Sequence, residues 1–430
     1  MKALTQYLKT YAEPEVQQLE GFPSGFSQSI VIPFYRETTA TLQRFCDFAK
    51  RNSHCLLVAV INRPESNRDT QWAELLLAMP TISQGQVLWQ SANKLLRLIG
   101  LDNQSGILLV DRCIKGAAIA DKQGVGQARK IGADIACQLI TQDCVTSPWI
   151  ANTDADAILP DNYRDTLAEY SAADDYSAAL IFPYQHIFVD DTPRLPTLLY
   201  EFSLHYYVAG LQWAGSPYAY QTLGSTIAMR YNHYAMVRGF PKRSGAEDFY
   251  LLSKLAKTGS IISLQQPVIK LQARESDRVP FGTGPAVTEL AANENPLLMP
   301  LYHPDSFYYL KYFLELLAKL AEDQCDLTTA CEKFSTIDGL DTELFVIIAE
   351  KLKLSAALTH CYQQGKSPAI RLQHLHHWFD GFKTLKFIHL LRGLQLQPVS
   401  YQDWLKGDYS FKGNNTMDSL SLRIADYPTF

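Results

Sequence analysis

Three short runs that are apolar at nearly every position constrain this chain more than any other feature. Ser29-Ile-Val-Ile-Pro33, Cys55-Leu-Leu-Val-Ala-Val-Ile61 and Ile107-Leu-Leu-Val110 show no polar alternation, and each is closed by a proline or a polar residue. A strand that is apolar throughout is buried on both faces, the condition inside a parallel sheet covered by helices. Trp149 to Thr153 reads as a fourth buried strand, and Ala179–Pro183, Thr226–Met229 and Pro267–Leu271 as later ones. Helices fall between them. Thr38 or Thr39 caps one running to about Lys50, and another spans roughly Thr70 to Ala78. A third follows Gly124 and Gly126, with Ala128, Ile131, Ile135, Ala136 and Leu139 on one face. Such alternation implies an open α/β sheet that binds ligands at the carboxyl ends of its strands.

From about Asn293 the pattern changes. Phe307 to Ala321, Thr342 to Leu354 and Ile370 to Leu394 carry helical spacing and few strand signals. The expected organisation is an N-terminal helical arm (1–27), an α/β domain (28–292) and a C-terminal α-helical domain (293–430). A net charge of −5 offers no polybasic surface, which excludes nucleic acid as the main partner. The eight cysteines form no CxxC pair and lie mostly in apolar runs, so they read as reduced thiols of a cytoplasmic protein. No window reaches the roughly 18 uninterrupted apolar residues of a transmembrane segment. The longest candidate, Leu198 to Ala214, holds Glu201 and His205.

The chemistry concentrates in three places. Asp154 and Asp156 follow the Trp149 strand at spacing two, which in extended backbone points both side chains the same way. Paired like charges are costly without a cation, and hard oxygen ligands suit Mg²⁺ or Mn²⁺, ions that commonly arrive with a phosphate. The pair also reads as a solvated acidic turn. Glu247 and Asp248 open a helix, where the dipole favours ionised carboxylates able to accept a proton; an ordinary helix-start pair has the same look. Arg274 and Arg278 lie in a polar, Gly-rich loop that suits a phosphate or a surface ion pair. The Gly124-x-Gly126 pair fails as a dinucleotide fingerprint, because its strand ends well upstream and Arg129 stands where the third glycine belongs. His374, His376 and His377 have no acidic partner at ligand spacing and read as structural.

In order along the chain, Val31-Ile-Pro-Phe-Tyr-Arg-Glu37, Gly124-Val-Gly-Gln-Ala-Arg-Lys-Ile-Gly132, Trp149-Ile-Ala-Asn-Thr-Asp-Ala-Asp156 and Ala246-Glu-Asp248 resemble the motifs of the family 2 glycosyltransferases with the GT-A fold. The resemblance covers about Gln28 to Leu290. It implies a GT-A-like open, mostly parallel sheet flanked by helices, here with a C-terminal α-helical appendage. It also implies transfer of a single sugar from a nucleotide-sugar donor to an acceptor hydroxyl on a small molecule, glycan or lipid-linked compound, by inverting displacement, with Mn²⁺ or Mg²⁺ as cofactor. Pro33, Tyr35 and Glu37 would border the nucleotide, and Arg129 would lie near it or near the diphosphate. Asp156 would bind the metal, with Asp154 toward the ribose or a metal-bound water. Asp248, paired with Glu247, would be the catalytic base.

Two departures stand out. Family members often carry an acidic pair after the second strand, where this chain has Asn62-Arg63-Pro64; Asp111, at the next strand end, is the substitute candidate. The Gln-x-x-Arg-Trp signature of processive members is missing, as are their membrane helices. Two rival classes remain. A sugar-1-phosphate nucleotidyltransferase would need glycines and a lysine just after the first strand, where Phe34-Tyr-Arg-Glu37 offers neither. A non-catalytic nucleotide-sugar binder would normally have lost a carboxylate, and this chain keeps Asp154, Asp156 and Asp248.

Overall fold

The computed structural model describes residues 2–82, 85–173, 176–188, 193–274, 282–337, 339–407 and 415–425. The chain divides into two compact units, Met1–Pro193 with Thr222–Thr288, and Arg194–Gln221 with Glu289–Phe430.

The first unit is built on a nine-stranded sheet of order β11-β8-β10-β6-β1-β2-β5-β4-β3. Its strands are β1 (Gln28–Phe34), β2 (Cys55–Asn62), β3 (Val87–Gln90), β4 (Leu96–Gly100), β5 (Gly106–Arg112), β6 (Trp149–Asn152), β8 (Ser177–Ile181), β10 (Ile227–Arg230) and β11 (Ser260–Ser263). β6, β1, β2 and β5 form a parallel centre in which every residue of β1, β2 and β6 is buried, as their unbroken apolar runs require. Only β4 and β10 run against the other seven, so the sheet is mixed but mostly of one direction. β1 continues through Pro33 to Phe34, which still pairs with Ile61. Pairing with β6 ends at Val31–Asn152, so at Pro33 the strand has only β2 beside it, the edge condition in which a sheet tolerates proline. A second, three-stranded sheet joins β7 (Ala157–Ile158), β12 (Ile269–Gln272) and β9 (Tyr184–Ile187).

The helix Thr39–Arg51 starts where Thr38 Oγ1 accepts the Thr41 N–H at 3.3 Å. The helix Gly124–Thr141 lies on the sheet with nearly its whole circumference covered, from Gly126 through Cys137. Gly132 is the point of closest approach. A Cβ there would collide with Val31 Cγ1 and come within 3.1 Å of Val60 Cγ2. Gly132→Ala is therefore expected to destabilise the fold by about 1–3 kcal/mol through overpacking. That outweighs the gain of about 1 kcal/mol in helix propensity. Urea denaturation monitored by circular dichroism would read the difference.

The second unit is helical. Arg194–Trp213 belongs to it, and Phe202 on that helix packs against Tyr401 and Trp404 at ring-centroid distances of 4.8 and 5.0 Å. In the helix Asp305–Asp323, Phe313 anchors an aromatic cluster with Phe379 and Phe387 at 5.1 and 4.7 Å. β13 (Pro300–Leu301) pairs with β14 (Val399–Ser400). His374, His376 and His377 lie on the helix Pro368–Trp378. Among the described residues no helix is long and apolar enough to cross a membrane.

Candidate active site

Because β1, β2, β5 and β6 are parallel, the segments that follow them leave the sheet at one edge. β10 is antiparallel, so the residues that precede it, Gly224 and Ser225, reach the same edge. Three bonds stitch the end of β6 to its surroundings. Asn152 Nδ2 donates to the Gly224 carbonyl at 2.5 Å, Thr153 Oγ1 donates to the Ser225 carbonyl at 2.9 Å, and the Thr153 N–H donates to the Val31 carbonyl at 3.0 Å.

Past Thr153 the backbone does not stay extended. The Ala157 N–H donates to the Asp154 carbonyl at 3.0 Å and closes a turn, while the Gln272 N–H holds the Asp156 carbonyl at 3.0 Å. The two carboxylates therefore meet different cations. Asp154 Oδ1 accepts from Arg129 Nη2 at 2.7 Å, and Asp156 Oδ2 lies 3.3 Å from Arg274 Nη2. Extended geometry would have left both facing the same way without a partner; here each carboxylate is engaged by its own arginine.

Arg129 is buried beneath the site. Its Nε donates to Glu247 Oε1 at 2.8 Å and its Nη1 to the Gly224 carbonyl at 3.2 Å, in addition to the Asp154 bond. Burial works against its charge, but Asp154, Glu247 and Asp248 more than offset this and hold it protonated. Arg129 thereby ties the turn after β6 to the Gly224 segment and to the helix that carries Glu247.

Glu247 and Asp248 open the helix Glu247–Leu255, preceded by Ala246 in the left-handed region at φ 55°. Asp248 Oδ2 accepts the Gly224 N–H at 2.8 Å, and its Oδ1 accepts the Phe249 N–H at 2.7 Å. Burial, then the neighbouring Glu247, pushes its carboxyl up to about 7 against the opposing pull of Arg129 and these two N–H groups. The helix-dipole argument for an acid ionised at low pH is thus outweighed by desolvation and by a like charge. Arg129 and Gly224 join Asp154, Glu247 and Asp248 into one cluster drawn from the ends of β6, β10 and two helices.

A second cluster adjoins it through the turn. Glu37, in the loop after β1, is buried and paired with Arg274 Nη1 at 2.9 Å to Oε1. Arg44 Nη2 donates to the Ala155 carbonyl at 2.5 Å and its Nη1 to Gln272 Oε1 at 2.9 Å. Burial raises the Asp156 carboxyl, Arg274 pulls it back, and the charges of Asp154 and Glu37 raise it again.

The remaining candidate residues make local contacts. Tyr35 packs edge-on to Trp72 at 5.9 Å and accepts at its hydroxyl from Asn67 Nδ2 at 3.2 Å. Pro33 is buried inside β1. Asp111 turns its Oδ1 to the local Cys113 N–H at 2.9 Å. Arg63 donates to the carbonyls of Cys113, Pro64 and Asn67, so the residue standing at the usual acidic position braces its own loop. Arg278 lies outside the described residues. Arg44 and Gly224 were not anticipated. Gly224 opens a short 3-10 turn, Gly224–Thr226, that carries no sequence signal of its own, and Arg44 offers one signal, a cation on the helix that begins just after the β1 loop.

Among the described residues no group of three or more His, Cys, Asp or Glu side chains gathers to hold a metal ion. An all-oxygen set of Asp156 and Asp154 still fits Mn²⁺ or Mg²⁺, which are held by one or two carboxylates and complete their shells with water and substrate phosphate. Arg274 already bridges Asp156 and Glu37 from one side, so the turn is a place where acids are answered by a cation.

No family model matches the chain, and no curated protein matches it. A solved structure of GalNAc-T7 with UDP, GalNAc and Mn²⁺ resembles it over 70% of its length, at 11% sequence identity and a TM-score of 0.34. The chain covers 52% of that structure's chain, about half its length.

Proposed function

We propose that this protein is a glycosyltransferase of the family 2 type, moving a single sugar from a nucleoside-diphosphate sugar to an acceptor hydroxyl by inverting displacement. One observation carries the reading: Asp248 and the Asp154 turn, far apart in sequence, are bound into one cluster through Arg129 and Gly224. A transferase needs an acidic turn that holds a cation against the leaving diphosphate, and a base for the incoming alcohol, in the same cleft. Their joint presence fits that need better than it fits two unrelated surface features.

Asp248 takes the proton of the acceptor hydroxyl as attack proceeds. Its two N–H bonds fix the carboxylate in orientation, and a value near neutrality leaves it both ionised and basic enough to accept a proton. Glu247 stays turned to Arg129 and holds that side chain in place. Mn²⁺ or Mg²⁺, when bound with the donor, would be held by Asp156 and Asp154 and supplies Lewis-acid neutralisation of the departing diphosphate. Arg274 adds a positive charge in contact with both Asp156 and Glu37, suited to a diphosphate oxygen. Tyr35, with Trp72 beside it, is the face we assign to the nucleotide, and Asp111 the acid we assign to its polar edge. The eight free cysteines, seven of them buried, suit a reducing compartment such as the cytoplasm.

A thermal-shift screen of nucleotide sugars with Mn²⁺ identifies the donor, since a ligand of the native state raises the melting temperature. With that donor, Asp156→Ala is expected to raise the Mn²⁺ concentration for half-maximal hydrolysis by at least about tenfold, the scale that even an outer-shell partner of a ligand commands. If no nucleotide sugar shifts the melt and none is turned over, the proposal is wrong.

A further inference from the structure

We infer that Arg274 is a built-in counter-cation that occupies the Asp156–Glu37 pair in the donor-free protein, and that a divalent ion and diphosphate displace it together. The inference rests on the transferase reading for the identity of the arriving diphosphate. It starts from a shared guanidinium. Arg274 follows β12 by two residues, and reaches Glu37 Oε1 at 2.9 Å and Oε2 at 3.1 Å with Nη1, while Nη2 lies 3.3 Å from Asp156 Oδ2. One side chain thus bridges acids from two separate strand ends.

The two carboxylates differ in their setting. Glu37 is nearly closed to solvent, whereas the Asp156 side chain is partly open at 26% and Arg274 at 32%. The Arg274–Asp156 contact is the longer and the wetter of the two, so it is the one a competing cation opens first. Arg44 is held beside the turn, its Nη groups donating to the Ala155 carbonyl and to Gln272 Oε1. Arg129 is buried and bound to Asp154, Glu247 and the Gly224 carbonyl. Among the described residues Arg274 is thus a cation at the turn with both a solvent-facing side and a carboxylate to surrender. A guanidinium matches a diphosphate in the same forked geometry with which it matches a carboxylate. When the ion takes Asp156, the freed Nη2 has a phosphate oxygen to bind, so no buried charge is left alone. Metal and diphosphate then bind cooperatively, because each removes part of the other's cost.

The test is Mn²⁺ binding to the full-length chain without donor, read from the free-ion signal in electron paramagnetic resonance. Arg274→Gln removes the competing charge and is expected to bind Mn²⁺ about tenfold more tightly than wild type, a conservative figure for a partly solvated pair. Arg274→Lys keeps a positive charge and should gain less. In the double variant Arg274→Gln/Asp156→Asn the gain disappears, which locates it at this turn. Circular dichroism melts of each variant exclude unfolding as the cause. With Mn²⁺ saturating, inorganic pyrophosphate is expected to bind Arg274→Gln more weakly than wild type. Unchanged Mn²⁺ affinity in folded Arg274→Gln overturns the counter-cation, a Lys variant that gains as much as the Gln variant overturns the charge argument, and unchanged pyrophosphate affinity overturns the hand-over. A rise in Mn²⁺ affinity in a protein that turns over no nucleotide sugar keeps the counter-cation and sinks the transferase reading, so the two failures are distinguishable.

Discussion

Asp248→Asn is expected to lower turnover of the donor onto its acceptor by about 10²–10⁴-fold, the range supplied by a positioned general base. Asparagine preserves the size of the side chain and one carbonyl acceptor, so a folded protein with donor affinity close to wild type is expected beside the loss. The pH profile carries the sharper information. Asp248 is active as a base only when ionised, and burial with Glu247 beside it raises its carboxyl to about 7. Wild-type turnover should therefore climb through neutral pH and level off above it, with the lower limb set by this group. The carboxamide does not titrate, so the residual activity of the variant should lose that limb. Stopped assays at saturating donor, from pH 5.5 to 9, measure both. A variant within a factor of three of wild type, or one that keeps the same limb, would assign the base elsewhere.

What could be read in advance followed from burial and chain direction. β1, β2 and β5 were legible because a strand covered on both faces must be apolar at nearly every position. The hairpin of β3 and β4 was not, since β3 is an edge strand with Val87 and Leu88 about half exposed and no alternation to read. Asp154, Asp156, Glu247 and Asp248 stood out because carboxylates at a strand end and a helix start are unusual enough to notice. Arg129, Arg274 and Glu37 stand out as well, but which acid meets which cation is not legible. Arg129 lies on a helix buried almost all round, so periodicity could not mark one position as special. Its bond to Glu247 spans 118 residues of sequence, and that of Arg274 to Glu37 spans 237, separations on which local pattern is silent. The turn at Asp154–Asp156 departs from extended backbone for a related reason. Its shape is imposed by β12, through the Gln272 N–H, more than a hundred residues later.

The largest stability effect is expected at Arg129. Among the described residues its guanidinium reaches Asp154, Glu247 and the Gly224 carbonyl together, and both it and Glu247 are buried. Arg129→Met fills similar volume but leaves Glu247 as a desolvated carboxylate with its countercharge gone, a change that costs about 3–5 kcal/mol in other buried pairs. Removing the acid as well relieves that penalty. Arg129→Met/Glu247→Gln should therefore be markedly more stable than Arg129→Met alone, with a coupling of about 0.5–3 kcal/mol between the two sites. Guanidinium denaturation of wild type, both single variants and the double variant closes the cycle. Turnover separates this role from a purely structural one. The double variant should recover stability without recovering activity, because Asp154 and the Gly224 segment that orients Asp248 have still lost their common tie. Additive losses across the cycle would mean that Arg129 and Glu247 act independently, and full activity in the double variant would remove Arg129 from the positioning of the base.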